Sequence, residues 1–129
     1  MTKGIVAVLI LFTALTAFRC EKDKVMPTTC FKARLEVKGI CMNYIIMVLD
    51  GNIDPDLIQA TWTDPATGKT HQNVFGLGSP CDFPSNIVEG EEFYFTINNS
   101  PTQGCAVCEA YYPTPPKKLR ILATKAPCM

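Results

Sequence analysis

The sequence predicts an all-β fold, a small antiparallel β-sandwich or barrel of six to seven strands, held together by disulfides. Three observations predict it. Residues Phe31-Lys32-Ala33-Arg34-Leu35-Glu36-Val37-Lys38 alternate apolar and charged side chains without a break, the period-two pattern of a strand with one buried face. Clusters of Gly, Pro, Asn and Asp punctuate the remainder at roughly the 8–12-residue spacing of short strands. No segment of about ten residues or more sets apolar positions at helical spacing between caps.

In chain order, the alternating run ends at Gly39, and Cys41 to Leu49 follows as a nearly all-apolar stretch. Such a run fits a strand covered on both faces. Asp50-Gly51-Asn52 and Asp54-Pro55 are turn formers. Their alternating oxygen side chains are those of the first half of a calcium loop, but Pro55 and Thr61 stand where that loop needs glycine and glutamate, so a polar turn is expected and no metal. Leu57 to Thr63 reads as a third strand. Asp64-Pro65-Ala66-Thr67-Gly68-Lys69 has the proline-early, glycine-late order of a hairpin loop, and Thr70 to Phe75 returns as its partner. Gly76 to Asn86 is irregular, Glu91 to Ile97 is a strand, and Asn98 to Gly104 is a loop. Cys105 to Tyr112 is expected to be strand, and Lys117 to Leu122 closes the fold. An OB-like barrel and a reduced immunoglobulin-like sandwich both accommodate this pattern.

A length of 129 residues bounds the chain to one domain. Its 12 basic and 12 acidic side chains cancel, which removes the basic face that a nucleic-acid partner requires.

The first residues carry an address. Lys3 precedes an uncharged run from Gly4 to Phe18, GIVAVLILFTALTAF, the shape of a signal peptide and shorter than the roughly 17–25 residues of a membrane-spanning helix. Cys20 is followed at once by Glu21-Lys22-Asp23-Lys24. This CEKDK string resembles the start of small surface-exported bacterial lipoproteins of the Bacteroidetes type, whose first mature cysteine is lipidated. The resemblance implies residues 1–19 as signal peptide, Cys20 as the lipidation site, 20–29 as a tether and 30–129 as a single β domain. It implies an outer-membrane or cell-surface location and a membrane contact through lipid. Ala14 and Ala17 offer the alternative, cleavage to a soluble secreted or periplasmic form.

Seven cysteines is an odd count for an exported protein. With Cys20 lipidated, Cys30, Cys41, Cys81, Cys105, Cys108 and Cys128 remain for three bridges. Tying Cys30 to Cys128 closes the longest loop and is entropically the most stabilising choice. That leaves Cys41 and Cys81 to take Cys105 and Cys108, because a bridge within the close pair would constrain little.

The chemistries on offer are few. Cys105-Ala106-Val107-Cys108 could form a redox pair, but such a site needs a following helix to lower the first thiol's pKa. Pro113, Pro115 and Pro116 forbid that helix. Zinc would need a second close ligand pair, and no cofactor motif is present. Ser79 lacks the glycine two places on that a nucleophile elbow requires. His71, in a strand beside Thr70 and Gln72, reads as a surface imidazole. Glu89 and Glu91 read as neighbours on one solvated strand face. Trp62, Tyr111 and Tyr112 are candidates for contacting a partner. The expectation is therefore a non-enzymatic envelope lipoprotein whose β domain binds a protein or glycan or serves a structural role. A thiol–disulfide oxidoreductase using Cys105 and Cys108, and a glycan-binding module, are the alternatives.

Overall fold

The computed structural model describes residues 29–100 and 104–128. The expected signal peptide, Cys20 and the tether up to residue 28 lie outside the described residues.

The protein is all-β. Its strands are β1 (Phe31–Lys38), β2 (Tyr44–Asp50), β3 (Gln59–Thr63), β4 (Thr70–Leu77), β5 (Glu92–Ile97), β6 (Lys118–Leu119) and β7 (Ile121–Thr124). They form one sheet in the order β3-β4-β2-β1-β5-β7, with β6 pairing β4. All pairings are antiparallel except the short parallel one between β6 and β4. Only Arg120 separates β6 from β7, so one short segment touches β4 on one side and β5 on the other. The sheet thus curls around a single core, an arrangement compatible with both a sandwich and an OB-like barrel.

Alternation fills that core. Phe31, Ala33 and Leu35 of β1 point inward with Tyr44, Ile46 and Val48 of β2, Phe75 and Leu77 of β4, and Phe93 and Phe95 of β5. The rings interlock: Phe31 and Phe75 lie 5.1 and 5.6 Å from Phe95, and Phe83 lies 5.4 Å from Phe93. Burying each such ring contributes about 1.5–3 kcal/mol.

The opposite face is covered as well. Ile45 and Val74 are fully buried yet stand outside the main cluster. Register explains how. Ile45 pairs with Gly76 and Met47 with Val74, so a straight β4 would carry the β3–β4 hairpin loop toward the Asp50 end of β2. Instead the loop residues Asp64 and Thr67 share a cleft with Gly39 and Ile40, at the other end. The strand must bend, and Asn73 in the left-handed region (φ 51°) marks the place. The bend lays the hairpin across the outer face of β2 and β1. The nearly all-apolar β2 is covered on both sides, as its composition requires.

Several expected boundaries move. Cys105 to Tyr112 is not a strand; it runs as an irregular surface segment into prolines, which remove ladder donors. Cys41 does not begin β2 but belongs to a 3₁₀ turn, Ile40–Met42, in which Cys41 and Met42 are both left-handed (φ 54° and 58°). Asp54 caps a second such turn, Pro55–Leu57, by accepting from the Asp56 amide at 2.9 Å, so β3 starts later than expected. β5 begins at Glu92 because Gly90, at φ 84°, turns the chain just before it.

Three disulfides join Cys30 to Cys128, Cys41 to Cys108 and Cys81 to Cys105. The first closes the domain's two ends with Cα atoms 5.8 Å apart, and the neighbouring cysteines are divided between two loops, as the loop-length argument expects. Such a set belongs to a protein that folds in an oxidising compartment. The Cys30–Cys128 bridge spans 98 residues, for which the chain-entropy model gives about 4–5 kcal/mol, against a total stability of about 5–15. Replacing both Cys30 and Cys128 by alanine should lower the urea-unfolding free energy by about that amount. A loss below about 1 kcal/mol would contradict this role.

Candidate functional site

Two places concentrate polar or exposed functional side chains. The first lies beneath the folded-back hairpin. β1 carries a bulge between Leu35, opposite Ile46, and Val37, opposite Ile45. The unpaired residue there is Glu36, whose side chain is 7% exposed. A carboxylate so enclosed needs donors, and it has them from two directions. Arg34 Nε and Nη2 both donate to Oε2, at 3.0 and 2.9 Å. Lys69 Nζ donates to Oε1 at 3.2 Å, and His71 Nδ1 lies 3.1 Å from the same oxygen. Burial pushes the Glu36 carboxyl upward, but the hydrogen bonds from Arg34, Lys69 and His71 outweigh it and hold the group below its ordinary value of 4.5.

His71 is not the surface imidazole expected from its polar neighbours. It is 2% exposed because the bend at Asn73 turns that part of β4 against the sheet. The Trp62 ring stacks on it at 5.9 Å. Its Nε2 is buried with no hydrogen-bond partner. No hydroxyl or thiol among the described residues hydrogen-bonds that nitrogen. A cleft of 350 Å³ opens beside the pair, walled by Lys38, Gly39, Asp64, Glu89 and Tyr112. The Tyr112 ring covers Gly39 so closely that a β-carbon there would sit 2.9 Å from it. Partial burial, and then the carboxylates of Asp64 and Glu89, push the Tyr112 hydroxyl above its ordinary value.

The remaining polar groups expected to matter serve the fold. Glu89 and Glu91 do not share a strand face. Gly90 turns between them, Glu89 accepts from the Lys38 amide at 2.7 Å, and Glu91 pairs with Lys125 at 2.7 Å. Ser79 is fully buried and spends its hydroxyl on both polar groups of Ile121, donating at 3.0 Å and accepting at 2.9 Å.

The second place is the segment from Gly104 to Tyr111. It has no regular structure and is exposed throughout. Cys105 and Cys108 fix it to the 3₁₀ turn Pro80–Asp82 and to the Ile40–Met42 turn. The Asn43 side-chain Nδ2 donates to the Ala110 carbonyl at 3.2 Å. The result is a rigidly held strip that leaves Tyr111 85% exposed, with Val107 and Ile40 also exposed. A shallow cleft of 430 Å³ runs along it, lined by Met42, Leu77, Val107 and Tyr111 among others. The three candidate aromatics are thus not brought together: Trp62 lies on His71, Tyr112 on Gly39, and Tyr111 alone projects into solvent. The neighbouring cysteines are not joined to each other. Glu36 was the functional-looking residue that alternation hid, since in sequence it is one more charged position on a wet strand face.

No protein-family model matches the chain, and no curated protein or solved structure matches it.

Glu36 sets a pH dependence. A carboxyl held lower in the folded state than in the unfolded chain adds stability above the unfolded value, and that stability is lost as pH falls through the folded value. Glu36→Gln should therefore cost about 1–3 kcal/mol at neutral pH, with the gap to wild type closing below pH ~4. Urea titrations of both proteins across the acid range measure it; a constant gap would contradict the assignment. By contrast, Tyr111→Ala should stay within about 0.5 kcal/mol of wild type, as expected for a surface position, while Tyr112→Ala should be clearly destabilising in the same assay.

Proposed function

We propose that this protein is a non-enzymatic lipoprotein of the bacterial cell envelope, anchored through Cys20, whose β domain presents a binding face to a protein partner. The observation that carries the reading is the doubly stapled strip from Gly104 to Tyr111, with Tyr111 held 85% exposed at its end. Ordering an aromatic side chain before a partner arrives lowers the entropic cost of association, and tyrosine is among the side chains that most often dominate such contacts. A protein partner suits the arrangement better than a glycan, because sugar stacking favours a broad aromatic platform and the three rings stand apart. An enzyme reading is weakened by the unaccompanied Glu36–His71 pair and by cysteines that are committed to separate bridges. Among the described residues no helix is long and apolar enough to cross a membrane; in this reading attachment comes from the lipid on Cys20 and the nine residues between it and Cys30.

The anchor is tested by labelling cells with a fatty-acid analogue and fractionating them. Wild type should be labelled and sediment with membranes. Cys20→Ser should be unlabelled and soluble. Unchanged sedimentation of Cys20→Ser would overturn the lipid anchor in favour of a retained apolar segment.

A further inference from the structure

The CxxC pair is committed to two separate bridges, yet both of its members lie at the surface. Cys105 and Cys108 are exposed, while Cys41 and Cys81 are half-buried and Cys30 is 2% exposed. Each outer bridge therefore has one exposed and one half-buried cysteine, whereas Cys30–Cys128 joins a fully buried cysteine to a half-buried one. The outer bridges also share one short segment. Only Ala106 and Val107 separate Cys105 from Cys108, so a thiolate on one can reach the sulfur of the other, as any CxxC pair can. Finally, the Cys41–Cys108 bridge holds two consecutive non-glycine residues, Cys41 and Met42, in the left-handed region (φ 54° and 58°), a conformation that persists only while its surroundings enforce it.

We propose that Cys105 and Cys108 form a thiol-exchange site, at which a dithiol reductant opens the strip without unfolding the domain. A thiolate of the dithiol attacks the exposed Sγ of Cys108; the new S–S bond forms as the Cys41–Cys108 bond breaks, and Cys41 leaves as thiolate. The second thiol of the reductant closes on its own sulfur, leaving as a cyclic disulfide and releasing Cys108 as thiolate. Cys108 then attacks Sγ of Cys105. The Cys105–Cys108 bond forms, the Cys81–Cys105 bond breaks, and Cys81 leaves. Two electrons and two protons pass from the dithiol to the protein, where the protons end on Cys41 and Cys81. The strip is then tied only to itself, the Ile40–Met42 turn is free to relax, and Tyr111 loses its fixed position. No strand is cut loose, because neither outer bridge joins two strands and Cys30–Cys128 still ties the ends. The proposal rests on the bridge pattern and burial, and it holds whatever the strip binds and whether or not Cys20 is lipidated.

The experiment uses the wild-type β domain with all three bridges formed. It is exposed to a graded series of dithiothreitol concentrations, quenched with acid, alkylated and peptide-mapped. The expected result is a window of concentration in which Cys41 and Cys81 are alkylated, Cys105 is joined to Cys108, and Cys30–Cys128 is intact. Near-ultraviolet circular dichroism from the buried rings should be retained in that window. Cys105→Ser, which frees Cys81 from the start, provides the second arm: Cys108 should then be alkylated together with Cys41 at comparable reductant. The proposal is overturned if Cys105 and Cys108 are alkylated together in wild type with no Cys105–Cys108 peptide. It is equally overturned if Cys30–Cys128 opens at the same or lower concentration.

Discussion

Ile45 and Ile46 are adjacent in β2, point to opposite faces of the sheet, and are both completely buried. A single curled sheet has one interior, so this pair imposes a requirement the main core cannot meet. Something must also cover the outside of β2. Among the described residues there is no α-helix, so there the cover comes from strands and loops already committed elsewhere. The bend at Asn73 supplies one part by turning the β3–β4 hairpin over its own neighbours. The segment after Tyr111 supplies another, as Pro115 and Lys118 close over Gly76 with so little clearance that a β-carbon there would lie 3.2 Å from Lys118. The disulfides at Cys41 and Cys81 fix the start of that second cover, and the short pairing of Lys118 and Leu119 with Gly76 and Leu77 holds its end.

The same requirement explains the polar cluster. A hairpin laid over a strand face that reads as solvated must bury whatever charge it meets. β1 presents Arg34 and Glu36 on that face, and the hairpin brings Lys69 and His71. Glu36 is satisfied because donors reach it both from its own strand and from the hairpin. His71 is satisfied only at Nδ1. Its other nitrogen is the residual cost of covering a polar face, set against the burial of Ile45, Val74 and much of Trp62.

What could be read in advance divides along these lines. β1 was legible to the residue, because strict alternation is a local property of eight side chains. The Asp64–Lys69 hairpin was legible from Pro65 and Gly68, and the Cys30–Cys128 bridge and the separation of Cys105 from Cys108 from loop lengths, though not which partner each of the two takes. The double burial of β2 could be read from its composition, but not what covers it. The bend at Asn73 has no local signal: asparagine tolerates the left-handed region, yet nothing nearby requires it. From that one unread dihedral follow the misplacement of His71 at the surface and the invisibility of Glu36. The segment from Cys105 to Tyr112 was misread for a related reason. Its apolar and aromatic residues have strand composition, but their positions are set by two covalent bonds instead of a ladder.

The closure of the domain at Cys30 and Cys128 also has a mechanical meaning. These residues are joined by a covalent bond with Cα atoms 5.8 Å apart, and they bracket everything the sheet contains. Tension applied between the chain before Cys30 and the chain after Cys128 passes through that bond and not through the strands. The hydrogen-bonded ladders carry no share of such a load, so the domain is shielded from pulling forces for as long as its most buried bridge stays oxidised.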